Sequence, residues 1–212
     1  MPDALQSLRD AAELARVFAT EPVAAAIGRI AGLISRSVRG GGKVMICGNG
    51  GSLCDAAHFA EELTGRFRAD RPAIAAIALT DPGHLTCVAN DYGFDAVFSR
   101  GVEALGRPGD VLVVLSTSGN SPNILNAVTA AKGRGMLVVT LLGRGGGKLA
   151  QQCGMADVEL MAPGLTADRI QELHMLALHT IVELVEAELY PTSGGPSGSP
   201  SGAATGRGSV CG

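Results

Sequence analysis

Residues 111–123, VLVVLSTSGNSPN, join a β-branched aliphatic run to a hydroxyl-rich turn, Ser116-Thr117-Ser118-Gly119-Asn120-Ser121, and a helix-like pattern follows. The pattern describes a buried strand feeding a helix N-terminus. Several hydroxyls and unpaired backbone N–H groups then surround one point at the positive end of a helix dipole, which suits a phosphate or another small anion. A second loop repeats the logic at residues 43–52, where KVMIC runs into Gly48-Asn49-Gly50-Gly51-Ser52. Its glycines allow positive φ and close backbone approach to a ligand, while Asn49 and Ser52 offer side-chain hydrogen bonds to hydroxyls. Either loop alone is also what an ordinary βα turn with a serine N-cap looks like. Two in one chain say more, because a doubly wound sheet lines such turns along a common C-terminal edge.

Groups that move protons come from two helical stretches. His58 and Glu62 stand four residues apart, one turn from each other, opposite a seam of Leu53, Ala56, Ala60 and Leu63; Glu61 points about 100° away. On a solvated face such a pair is worth only a few tenths of a kcal/mol. Its weight comes from a helix that starts at the glycine loop. Gln171 and His179 are eight residues apart, about 80° from eclipse after two turns, and so lie on one broad side of a second helix. A histidine in such apolar surroundings is commonly a satisfied core residue, so its role depends on what it meets.

The elements that must position these groups alternate. Two N-terminal helices, near 3–19 and 23–38, precede strands near 43–47, 73–79, 111–115, 137–142 and 157–161. Helices near 52–64, 95–105, 121–134 and 147–153 separate the strands, and short turns join them. That order argues for an α/β fold with a parallel five-stranded sheet and helices on both faces. One long helix is expected from Thr166 to Tyr190, apolar on nearly every side between Leu173 and Val185, which predicts a helical bundle with the N-terminal helices.

With 212 residues, 46% of them hydrophobic, the chain can bury a full core, and residues 1–190 read as a single domain. The tail 191–212 is almost entirely Pro, Gly, Ser, Thr and Ala and is expected to be disordered. A net charge of −3 and scattered Lys and Arg suggest neither nucleic acid nor an anionic membrane as partner. Charged residues or glycine break every apolar run short of a membrane span, and the N-terminal stretch is amphipathic rather than signal-like, so a cytoplasmic protein is expected. Five cysteines without C-x-x-C pairing fit reduced thiols, and Cys47, on a strand, reads as a small core residue. Aromatics make up only 3% of the chain, too few for stacking surfaces, so a small ligand is the better expectation.

Taken together, GNGGS at 48–52, DAAHFAEELTGR at 55–66, VANDYGFDAVFSR at 88–100, STSGNS at 116–121 and ADRIQELHMLALH at 167–179 resemble the phosphoheptose isomerases. These form the sedoheptulose 7-phosphate isomerase branch of the sugar isomerase (SIS) domain superfamily. The resemblance covers Lys43 to about Leu189. The serine loop alone marks the superfamily, whereas the H-F-A-E-E-L-T-G run with R-I-Q-E-x-H and its following histidine is more particular. The resemblance implies an SIS-type fold and an aldose–ketose isomerase that converts D-sedoheptulose 7-phosphate to D-glycero-D-manno-heptose 7-phosphate, for nucleotide-activated heptose and cell-surface glycans. It further implies that Ser116, Thr117, Ser118 and Ser121 hold the sugar phosphate. Asn49, Gly50, Gly51, Ser52, Asn90, Asp91 and Gln171 then contact or border the sugar, and Glu62 and His179 are the catalytic acid/base pair. His58, Glu62, Gln171 and His179 match the ligands of a Zn²⁺ ion, and a homotetramer with active sites between subunits is implied as well.

The chemistry fits these residue types independently. Isomerisation through an enediol needs a base at carbon, Glu62, and a proton donor and acceptor at the oxygens, His179. Burial should raise the Glu62 pKa, whereas a bound Zn²⁺ would lower it. Leu53 and Pro122 depart from the family pattern; Leu53 falls on the core seam, and Pro122 sits where the first helical turn tolerates a missing N–H. Two other functions share the fold. One is a non-catalytic binding protein resembling the DnaA initiator-associating protein, which has no need of Glu62, Gln171 and His179 together. The other is an isomerase for a different sugar phosphate, such as arabinose 5-phosphate, whose relatives carry extra domains.

Overall fold

The computed structural model describes residues 3–152 and 154–191; the tail expected to be disordered lies, from residue 192 on, outside the described residues. Helices α1 (Ala4–Phe18) and α2 (Glu21–Arg39) lead into β1 (Val44–Gly48), α3 (Gly51–Thr64), β2 (Ala76–Ala78), α4 (Pro82–Tyr92) and α5 (Ser99–Leu105). The chain continues through β3 (Val111–Ser116), α6 (Pro122–Gly133), β4 (Leu137–Leu142), α7 (Gly147–Gln151), β5 (Val158–Met161) and α8 (Ala167–Leu189). All strand pairs are parallel, in the order β2-β1-β3-β4-β5. This is the doubly wound five-stranded sheet expected from the alternation of strand and helix patterns.

Strand order explains where a ligand must sit. From β1 the chain crosses to one side to make β2 and then returns past β1 to make β3, so the winding reverses between β1 and β3. The crevice outside the carboxyl ends of these two strands is the ligand position in such sheets. Register pairs Gly48 with Leu115, which brings the glycine loop and the serine loop to the same edge.

The central strands β1 and β3 are buried on both faces, and alternation along each divides the core into two layers. Val44, Ile46, Val111, Val113 and Leu115 pack against α2, α3 and α8; Met45, Cys47, Leu112 and Val114 pack against α4, α5 and α6. Each such fully buried side chain contributes roughly 1.5–3 kcal/mol. Cys47 is wholly buried, and burial pushes its thiol pKa up, so it is an unreactive core residue as expected.

Three local expectations change. Helix α4 falls where none was expected: the Asp81 carboxylate accepts the His84 N–H at 2.6 Å and Pro82 occupies the first turn, a cap-and-proline start. The expected helix 95–105 divides into a 3-10 turn at Phe94–Ala96 and α5. Helix α8 is not covered all round: Ile170, Leu173, Ala177, Leu178 and Ile181 are buried, but Leu176 is 45% exposed. Among the described residues, no single helix is long and apolar enough to cross a membrane.

Candidate active site

The serine loop closes around itself. Ser116 Oγ, buried at the end of β3, accepts the Gly119 N–H at 3.0 Å, and Ser118 Oγ accepts the Asn120 N–H at 3.3 Å. Ser121 is the N-cap of α6, yet its hydroxyl makes no capping bond. The ordinary N-cap role of a serine here is therefore not what the structure shows, and the Ser121 hydroxyl keeps its ligand capacity. Asn49, Ser52, Ser116, Thr117, Ser118, Ser121 and Gln171 line one small cavity with Leu115. Residues from three separate sequence motifs thus meet at the winding reversal.

The glycine loop contributes backbone. Gly50 is the N-cap of α3 at φ +57°. At Gly51 a Cβ would meet Gln171 Oε1 at 2.6 Å, so glycine is what lets α8 lay its amide against the loop. Gln171 Nε2 in turn donates to the buried Ser52 Oγ at 3.2 Å. Asn90 and Asp91 stand apart from this cavity. Both are exposed at the end of α4, where Asn90 Nδ2 donates to Asp91 Oδ1 at 2.6 Å.

Beside the cradle, α3 and α8 bring the proton-handling groups together. Glu62 is buried, 6% exposed, where α8 packs along α3, although His58 one turn before it is half open to water. Its Oε1 lies 3.3 Å from His58 Nε2 and 3.3 Å from His179 Nε2. Its Oε2 is buried with no hydrogen-bond partner. Burial raises the Glu62 pKa, while His179 and His58 pull it back toward the ionised form and Glu61 opposes them. The rings of His58 and His179 meet edge to face with centroids 5.3 Å apart, and Phe67 stacks on His179 at 5.9 Å. Both histidines remain partly open, 49% and 40% exposed.

One ligand atom from each of His58, Glu62 and His179 lies within 4.8 Å of the others, a group able to hold a metal ion. Two imidazole nitrogens and a carboxylate oxygen make a donor set that zinc accepts, and the orphaned Oε2 is a further acceptor aimed at no protein partner.

Two features of the site have no counterpart in the sequence reading. Asn123, 1% exposed on the first turn of α6, exchanges amides with Asn49: Nδ2 of each donates to Oδ1 of the other, at 2.8 and 2.9 Å. This pair ties the glycine loop to the serine loop. An asparagine directly after the helix-starting proline was the only signal. The second is the run Arg144-Gly145-Gly146-Gly147, all with φ between 48° and 77°. It packs on the serine loop: a Cβ on Gly119 would fall 1.8 Å from the Gly146 carbonyl oxygen. Asn120 Oδ1 accepts the Lys148 N–H at 3.0 Å across the same contact.

Known proteins share the sequence pattern and the fold. The SIS domain family model matches residues 8–143. The phosphoheptose isomerase of Tolumonas auensis is 59% identical over 165 residues, which are 77% of this chain and 84% of that protein. That of Pectobacterium atrosepticum is 54% identical over 184 residues, 86% of this chain and 94% of the relative. The structure of the phosphoheptose isomerase from Neisseria gonorrhoeae superposes with a TM-score of 0.79 at 42% identity, over 85% of this chain and 96% of that one. Identity above one half over 77% and 86% of the chain makes it a member of the phosphoheptose isomerase family of SIS-domain proteins.

Proposed function

We propose that Glu62 and His179 carry the two proton transfers by which this isomerase converts D-sedoheptulose 7-phosphate to D-glycero-D-manno-heptose 7-phosphate through an enediol, feeding nucleotide-activated heptose and cell-surface glycans. The supporting observation is a buried carboxylate with one free oxygen, 3.3 Å from the His179 imidazole and beside an anion cradle. Glu62 takes the proton from the carbon next to the carbonyl and returns it to the neighbouring carbon. His179 moves a proton between the two oxygens. Burial strengthens Glu62 as a base, and the adjacent imidazoles keep enough of it ionised to act.

Substrate is oriented from its other end. Ser116, Thr117, Ser118 and Ser121 bind the phosphate; Asn49, Gly50, Gly51, Ser52 and Gln171 contact or border the sugar, whereas Asn90 and Asp91, apart from that cavity, have no contact among the described residues that supports the same role. His58, Glu62, Gln171 and His179 would hold Zn²⁺, which when bound supplies a Lewis acid at the sugar oxygens. Residues 1–190 act as one domain, and a homotetramer with sites between subunits would cover the half-open histidines and Leu176 on α8. Free Cys47, Cys54 and Cys87 suit a reducing cytoplasm.

A binding role like that of the DnaA initiator-associating protein is not favoured, because the similar proteins are phosphoheptose isomerases. Incubation with sedoheptulose 7-phosphate, followed by NMR of the product, tests the reaction. No conversion by the wild type would sink it. Elemental analysis with light scattering tests metal and assembly: a fully active, metal-free monomer would contradict both, and a metal-free active tetramer would remove zinc alone.

A further inference from the structure

Arg71 lies between α3 and β2 with its side chain only 4% exposed. Its Nη2 donates to the Glu62 carbonyl at 2.5 Å, its Nη1 to the carbonyls of Leu63 at 2.8 Å and Gly65 at 3.2 Å, and its Nε to Glu186 Oε1 on α8 at 2.8 Å. The Glu62 and Leu63 carbonyls belong to the last turn of α3 and have no partner within that helix, and a cation there also meets the negative end of the helix dipole. Capping alone would need no partner on α8. Here one guanidinium holds the backbone of the residue that bears the carboxylate and, through Glu186, the helix that bears the histidine. Glu186 follows His179 by seven residues, two turns or about 10.5 Å along one face of α8. A parallel link between Arg68 and Glu183, at 2.9 Å, is 63% and 49% exposed and so holds little.

We propose that Arg71 is a positioning residue for the isomerisation: by tying the Glu62 backbone to Glu186 it fixes how α3 docks on α8, and with it the 3.3 Å separation of Glu62 from His179. The buried, forked geometry is what gives the contact this authority, since lysine has no planar fork to serve both sides at once. The inference rests on Glu62 and His179 being the proton carriers.

The test measures kcat, KM, inhibition by inorganic phosphate and melting temperature for R71Q, R71K and E186Q, with E62Q alongside. R71Q should lower kcat by about 10²-fold, the scale set by a misplacement near 1 Å. KM and the phosphate inhibition constant should stay within about threefold, because the cradle hangs on β1 and β3 and orientation, not binding, is what Arg71 controls. R71K should fall between R71Q and wild type, and E186Q should move kcat in the same direction. If R71Q melts earlier but keeps kcat within about threefold, Arg71 is a stabiliser only and the proposal fails. Should R71Q not fold, E186Q, which keeps the side-chain shape, decides by the same threshold. If E62Q retains more than about a tenth of wild-type turnover, the assignment of Glu62 fails instead, and the two failures are distinct.

Discussion

The serine cradle and the Glu62–His58–His179 cluster share one edge of the molecule, but the cradle is shaped by backbone and the cluster by side chains from two helices. Around the cradle, β1–β3 register and the Gly119–Gly146 contact set positions that no rotamer can change, and the Asn49–Asn123 amide pair ties the two loops together. In the cluster, His58 and Glu62 share α3, but the separation of His179 from both depends on how α3 docks on α8, through contacts as distant as Arg71 and Glu186. Binding of phosphate should therefore be sensitive to added bulk in the loops, and turnover to changes far along the helices.

The sharpest division of the two regions comes from Glu62→Gln. Turnover should fall by about 10²- to 10⁴-fold, the range of a general base, while phosphate inhibition stays at the wild-type level. Parallel loss of phosphate binding would show that the two regions are one unit.

Next in size is Gly119→Ala, which places a methyl group 1.8 Å from the Gly146 oxygen at φ +64°. The conformation alone costs about 1–3 kcal/mol. The expected result is a lower melting temperature with phosphate affinity weakened at least about tenfold, from lost charge-assisted bonds worth 1.5–3 kcal/mol each. An unchanged inhibition constant would place the anion elsewhere.

His174 supports both regions, since it stands on α8 between Gln171 and His179, wholly buried, with Nε2 3.2 Å from the Leu142 carbonyl. Burial lowers its pKa from 6.5 to about 4. The unfolded chain thus binds a proton in this interval that the folded chain refuses. The stability held by neutral His174 is complete above about pH 6.5 and is lost as pH falls toward about 4, at up to 1.36 kcal/mol per pH unit. Denaturant titrations over that window should show a slope in the wild type that H174Q reduces by up to one proton. Identical slopes would remove His174 as the source.

The smallest expected effect is that of Asn123→Ala, which leaves Asn49 without its buried partner at about 1–3 kcal/mol. KM should rise more than kcat falls. The opposite split would mean that the amide pair serves the cluster rather than the cradle.

What the sequence shows about these regions follows from the same contrast. Local chemistry was legible: strand periodicity, both loops and the i,i+4 pair on α3 each leave a signal within a dozen residues. The burial of Glu62 was expected from the chemistry of a carbon base and not from periodicity, because the face opposite an apolar seam ordinarily meets water. Arg71 reads as one more charge in RFRADRP, and Asn123 as an ordinary residue after a proline. Helix α4 was hidden by a glycine and a proline at its start, although Asp81 and Pro82 are themselves start signals.

The Gly119–Gly146 contact has a consequence for anyone wishing to redesign the pocket. Two backbones from different crossovers touch with no side chain between them, so neither position can be varied while the other stays still. Saturation mutagenesis at Gly119 should return glycine alone, whatever ligand is selected for. Diversity for a new anion or a longer sugar has to be introduced at Thr117 and Asn120, whose side chains are at least partly open to solvent on the same loop.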